Sequence, residues 1–229
     1  MKGKYGAEPS WGNKPMPPLK NEDIPELWGR FLSVLQEAGT AAVIGGGALR
    51  DLENSRPIKD VDVFVPSYAG SETIYSRLAA WFGLCNVRQN LPEYVAWKKM
   101  TGDLGGLFSV EFDGTTFEVI GVKESVVVTA ENIAVRNDLG ICQIAWDGVN
   151  LYRSPKYLLN QAHKYFSVEV CIDEAALERT VNRWHRLSKK YEWPLICPFE
   201  YAEFATEELL ERTGGKRTEN GGIVWTYCV

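Results

Sequence analysis

A chain of 229 residues with 45% hydrophobic content is long enough to bury a sizeable core, and none of its apolar stretches approaches bilayer-spanning length. Thirty acidic against 25 basic side chains leave a formal charge of −5 and a pI near 5.3, which argues against a broad electrostatic coating of nucleic acid and confines any such contact to a local patch. Five cysteines at scattered spacings, with no C-x-x-C pair and only two histidines, argue against a disulfide framework and a structural zinc site; with an N-terminus that lacks an apolar signal segment, the expectation is a cytoplasmic protein with no membrane contact.

In chain order, Pro9, Pro15, Pro17 and Pro18 predict an extended arm over residues 1–20. Asp23 and Glu26 then form a capping-box-like pair, Leu27, Phe31, Leu32 and Leu35 make one helical stripe, and Gly39 is a natural stop. From Thr40 the pattern turns to β: AAVIG is a short buried strand, GGGALRDLEN a glycine turn opening a helix, and DVDVFV (Asp60 to Val65) an alternating strand. A helix is expected from about Ser71 to Trp81, followed by strands at YVAWKKM, LFSVEF and TFEVIGV, the last two joined through Asp113-Gly114. A second such turn at Asp147-Gly148 joins ICQIAW to VNLYR. Ser154 and Pro155 read as the N-cap and first position of a helix to about Lys164, and another from about Asp173 to Tyr191 carries Leu177, Val181, Trp184 and Leu187 on its apolar side. The C-terminal ERTGGKRTENGGIVWTYCV reads as a glycine-hinged hairpin or a tail. The fold class is α/β (α+β), a mixed sheet flanked by helices with a small C-terminal helical extension.

The chemistry concentrates at the glycine turn. A strand that turns through Gly45, Gly46 and Gly47 into a helix exposes backbone N–H groups beside the positive end of the helix dipole, which suits phosphate oxygens. Close packing of a helix on a strand explains the glycines equally well, and neither G-x-x-x-x-G-K-[ST] nor G-x-G-x-x-G is present. Just beyond, Asp60 and Asp62 stand at i and i+2 of a strand, so both carboxylates share one face while Val61, Val63 and Val65 take the other. Two acids on one face repel unless a cation sits between them, and oxygen-only ligands suit Mg²⁺, which takes its remaining ligands from water and substrate phosphates. Glu118, between Phe117 and Val119 in TFEVIGV, is the candidate third ligand. Three acids can hold two Mg²⁺ ions, one activating an attacking hydroxyl and one stabilising a pyrophosphate leaving group. A solvated strand face is the competing reading for Glu118, since Glu111 and Asp113 lie close by in sequence.

GGGALRDLENSRPIKDVDVFV resembles the signature of the DNA polymerase β-like nucleotidyltransferase superfamily. Within it, the stretch is similar to the branch of tRNA nucleotidyltransferases (CCA-adding enzymes) and bacterial poly(A) polymerases, whose hallmark reads G-G-x-x-R-D, a short spacer, then K-D-x-D. Gly46, Gly47, Arg50 and Asp51 match the first half and Lys59, Asp60 and Asp62 the second. VRNDLGICQIAWD resembles that branch's R-R-D-F-T-I-N-A-L-A-Y-D block, with Arg136, Asp138, Ile141, Ala145 and Asp147 in matching places. Arg183 and Arg186 fall like the branch's R-x-x-R, although a solvated helix face accounts for them as well. The chain departs from the pattern at Cys142, where the branch has asparagine, at Asn137, where it has a second arginine, and at Thr180, where the arginine of E-D-x-x-R would stand.

The resemblance implies a catalytic domain over residues 21–166 and a helical segment and tail over 167–229. It implies transfer of a nucleoside monophosphate from an NTP to an acceptor hydroxyl, most directly an RNA (tRNA-like) 3′ end. Gly45, Gly46 and Gly47 would meet the triphosphate, and Arg50 would neutralise phosphate charge or anchor the loop through Asp51. Asp60, Asp62 and Glu118 would hold two Mg²⁺ ions, Arg136 and Asp138 the nucleotide, and Arg183 and Arg186 would close over it. Two alternatives stay open: a protein or small-molecule acceptor, and a catalytically silent nucleotide-binding module of the same fold.

Overall fold

The computed structural model describes residues 18–67, 71–83, 86–89 and 104–226. Most of the predicted N-terminal arm and the strand expected at YVAWKKM lie outside them. The first helix, α1 (Glu26–Glu37), buries Trp28, Phe31, Leu32 and Leu35, as its stripe predicts. Its start differs from the expected capping box. Pro25 already sets the backbone at the N-cap, and Asp23 closes a preceding 3₁₀ turn in which its carboxylate accepts the Lys20 N–H at 2.8 Å. Gly39, at φ 75°, ends the helix as expected.

Strand β1 (Val43–Gly45) runs into helix α2 (Gly47–Glu53), and β2 (Val61–Pro66), α3 (Ser71–Phe82) and β3 (Val87–Gln89) follow. Next come β4 (Leu104–Phe112), β5 (Thr115–Val122), α4 (Ala130–Ala134), β6 (Ile144–Trp146) and β7 (Leu151–Arg153). These strands form one seven-stranded mixed sheet in the order β3-β4-β5-β2-β1-β6-β7, in which only the β2–β5 pair is parallel. The β4–β5 hairpin turns through Asp113 and Gly114, both at positive φ, as a two-residue turn requires. At the β6–β7 connection the Asp147 carboxylate instead accepts the N–H groups of Val149 and Asn150, making a longer side-chain-closed loop.

Strand alternation divides the sheet into two faces. Val61, Val63, Val65, Phe117 and Val119 point into the larger core, where Phe31 of α1 stacks on Phe117 with ring centroids 3.9 Å apart. The opposite face carries a smaller cluster around Val43, Ile120 and Val122, covered by Ile133 and Ala134 of α4. Asp62 and Glu118 belong to this second face by alternation.

Helix α5 (Pro155–His163) starts as predicted, with the Ser154 hydroxyl capping the Tyr157 N–H at 3.0 Å. After β8 (Phe166–Ser167), Asp173 caps the eighteen-residue α6 (Glu174–Tyr191), which buries Leu177, Val181 and Trp184. The remainder is β9 (Leu195–Cys197), α7 (Phe199–Ala202), α8 (Glu207–Thr213), β10 (Lys216–Arg217) and β11 (Ile223–Trp225). The last two strands pair as a hairpin and join β9 and β8 in a second sheet, order β10-β11-β9-β8. The hairpin is one of the two readings left open for the C-terminal stretch, whereas β8 and β9, of two and three residues, are too short to show alternation in sequence. The apolar residues of this second sheet, among them Leu195, Ile223 and Trp225, continue the larger core. Cys142, Cys171 and Cys197 are free and buried, and no helix among the described residues is long and apolar enough to cross a membrane.

Candidate active site

The glycine turn is dictated by space and by backbone angle. A Cβ on Gly45 would stand 2.9 Å from the Ile133 Cγ2 and 3.2 Å from the Phe64 ring, and Gly46 adopts φ 76°, ψ −124°, a conformation that L side chains rarely enter. The Gly46 N–H is spent on the Ile144 carbonyl at 2.9 Å, so the sheet itself uses one of the expected phosphate donors. The amides of Gly47, Ala48 and Leu49 open α2, where no intrahelical acceptor exists for them. The Asn137 side chain lies over the turn: a Cβ on Gly46 would meet its Oδ1 at 3.2 Å, and its Nδ2 is held by the Ala134 carbonyl at 3.1 Å.

Sheet order sets the glycine turn and two of the acids on neighbouring strands. The antiparallel β1–β2 pairing, Val43↔Phe64 and Ile44↔Val63, ends one residue short of Gly45 and Asp62, and the parallel β2–β5 pairing sets Asp62 beside Glu118. Adjacent strands lie about 4.8 Å apart, so β1 and β5 each lie one such spacing from β2. Glu118 accepts the hydroxyl of Ser109, its partner on β4, at 2.7 Å through Oε1. Asp60, half-buried just before β2, is paired with exposed Lys59 at 3.0 Å. Burial pushes the Asp62 carboxyl up to about 7, with Asp60 adding to the rise, Arg183 opposing it, Glu118 adding again and Lys59 opposing.

Among the described residues, no three His, Cys, Asp or Glu side chains form a ready-made metal cage. The donor set nevertheless suits Mg²⁺. It is all oxygen, the donor type Mg²⁺ takes alongside water and substrate phosphate.

Arg50 and Asp51 point inward. The Arg50 guanidinium is buried, donating to Asp51 Oδ1 at 2.8 Å, to Cys142 Sγ at 3.0 Å and to the Tyr191 hydroxyl at 3.3 Å. Asp51 in turn accepts the Tyr191 hydroxyl at 2.6 Å and the Lys190 ammonium at 2.5 Å. Of the two roles expected for Arg50, these contacts are the anchoring ones. Arg183 of α6 donates to Asp138 Oδ1 at 2.7 Å, while Thr180 donates to Oδ2 at 2.9 Å. The Asp138 carboxylate, foremost, holds the Arg183 guanidinium firmly charged, and the field of Asp62 also reaches it. Arg136 and Arg186 are exposed. Lys190, Tyr191 and Asn137 were missed as site residues, because nothing local in sequence marks a partner so far along the chain.

A cleft of about 530 Å³ lies elsewhere: it is lined by Ile24, Gly29, Val34, Phe112 and Trp146 on the α1 side of the sheet, opposite the acids. It contains none of the predicted site residues. The acid row is the more informative feature, since open phosphate sites on a sheet face need not be deep.

No family profile matches the sequence, and no curated protein matches it. Solved structures do match. A CCA-adding enzyme in complex with CTP is similar at a TM-score of 0.56 and 14% identity, over 87% of this chain and 47% of that one. A tRNA-processing enzyme in an apo form is similar at a TM-score of 0.52 and 18% identity, over 82% of this chain and 46% of that one. The Thermotoga maritima CCA-adding enzyme in complex with tRNA is similar at 0.51 and 14%, over 81% and 41%. The chain spans about half the length of these structures. At such identities the likeness establishes the fold, and it is the one the sequence resemblance led us to expect.

Proposed function

We propose that this chain is a nucleotidyltransferase that moves a nucleoside monophosphate from an NTP to an acceptor hydroxyl and releases pyrophosphate. The observation that supports the reading is the β2–β5 register that pairs Asp62 with Glu118, on a strand whose other neighbour, β1, leads into the glycine turn. Asp60, Asp62 and Glu118 would hold Mg²⁺. When bound, the metal supplies charge for the triphosphate and lowers the pKa of an acceptor hydroxyl. The N–H groups opening α2 face the triphosphate with the positive end of the helix dipole. Arg183, fixed by Asp138 and within the field of Asp62, adds positive charge where the pyrophosphate departs. Arg186, exposed on α6, is available to the nucleotide or the acceptor.

An RNA 3′ end is the acceptor we favour, because structures of this fold have been solved with CTP and with tRNA. The test is incubation with Mg²⁺, each labelled NTP and mixed small RNAs, repeated with an Asp60→Ala, Asp62→Ala double variant. Label on RNA with the intact protein alone supports the reading. Label on the protein or on a small acceptor moves the acceptor to those classes, and nucleotide bound without any transfer identifies a silent module.

A further inference from the structure

We propose that Lys190 and Tyr191, at the C-terminal end of α6, are positioning residues for the phosphate-binding turn, acting on it through Asp51. This rests on the nucleotidyltransferase reading for its consequence and on geometry for its substance. Helix α2 is only two turns long, too short to hold its own orientation, so tertiary contacts must set the direction of its first amides. Asp51 supplies them: buried in that helix, it takes Tyr191 on one carboxylate oxygen and Lys190 on the other. The same ammonium donates to the Pro57 carbonyl at 2.5 Å, in the linker that leads from α2 to Asp60 and Asp62. One side chain therefore ties the helix of the glycine turn to the segment that delivers the acids.

The anchor is itself rigid. The Tyr191 ring meets Phe166 edge-on at 5.8 Å and Trp193 at 4.9 Å, and Arg50 and Arg56 lie over it at 5.3 and 5.6 Å. Two to three turns up the same helix, Arg183 and Thr180 grip Asp138, so α6 holds both flanks of the site. A purely structural ion pair would be complete with Arg50 and Asp51. Lys190 carries the cluster past neutrality, and surplus positive charge behind a turn is what a triphosphate in front of it calls for.

The experiment compares wild type with Tyr191→Phe, which removes one hydroxyl and keeps the ring, with Lys190→Met, which removes the charge and keeps the stem, and with Lys190→Arg. MgATP and MgCTP binding is measured by equilibrium dialysis, and amide hydrogen exchange is followed over residues 45–52 and, as a control, 107–122. Tyr191→Phe and Lys190→Met are each expected to weaken nucleotide binding about tenfold, the loss of one charge-assisted hydrogen bond, and to speed exchange in 45–52 alone. Lys190→Arg is expected to restore most of the binding. Wild-type binding in both variants, or a loss accompanied by equal acceleration in the control strands, overturns the proposal. If the wild type itself holds neither nucleotide, the proposed function fails, and the exchange comparison still decides the clamp: unchanged exchange over 45–52 overturns it.

Discussion

Asp51 and Asp62 are both withdrawn from water on neighbouring elements, yet their surroundings are opposite. Asp51 is met by Arg50, Lys190 and Tyr191, every donor belonging to the chain. Asp62 is met by Asp60 and Glu118, with Arg183 and Lys59 offsetting them only in part, and burial foremost lifts its carboxyl to about 7. A desolvated carboxylate with its own counter-charges holds a structure together. One whose like-charged neighbours outweigh its counter-charges destabilises the fold that carries it, and such sites persist where a ligand from outside completes them.

The contrast can be broken from either side. The largest effect is expected from Asp60→Ala, Asp62→Ala: NTP-to-acceptor transfer falls by on the order of a thousandfold or more in the labelled assay, while thermal stability holds or rises. The mirror case is Asp51→Asn, which strands the buried cations and is expected to cost about 3 kcal/mol in urea denaturation. A stabilised Asp51→Asn or a destabilised acid-strand variant would erase the distinction.

Titration sharpens it further. Because the folded Asp62 carboxyl holds its proton well above the ordinary carboxylate range, the folded state binds more protons than the unfolded chain between the two values. The stability that proton confers is therefore lost as pH rises through about 7. Without divalent metal, the thermal midpoint of the wild type is expected to fall between about pH 5 and about pH 8, and Asp62→Asn to flatten that fall. Added Mg²⁺ should offset the loss at the alkaline end. The smallest effect belongs to exposed Arg186: Arg186→Ala is expected to change stability by less than about 0.5 kcal/mol in the same denaturation measurement.

What could be read from sequence was whatever chemistry is local. The glycine turn, the Asp113-Gly114 hairpin and the Ser154-Pro155 helix start each depend on residues within a few positions of one another, and each stands where it was expected, whereas of the i, i+2 acids only Asp62 lies in the strand and Asp60 just precedes it. Asp23 shows how a local rule loses to a stronger one nearby, since Pro25 moves the helix start past it. The clamp on Asp51 was hidden because Tyr191 lies 140 residues away, and no periodicity or spacing reports such a pairing. Strands β8 and β9 of the second sheet were hidden for the opposite reason: they are local but too brief to repeat. Arg50 lies between these cases, its place legible from sequence and its buried partners Cys142 and Tyr191 visible only in the fold.

The most direct test of the central claim, that the acid row on the sheet face takes up a divalent cation together with nucleotide, is a Mn²⁺ titration followed by electron paramagnetic resonance with CTP present. Wild-type protein should bind Mn²⁺ beyond what free CTP binds, and the Asp60→Ala, Asp62→Ala variant should not. Equal Mn²⁺ uptake by the two proteins would contradict it.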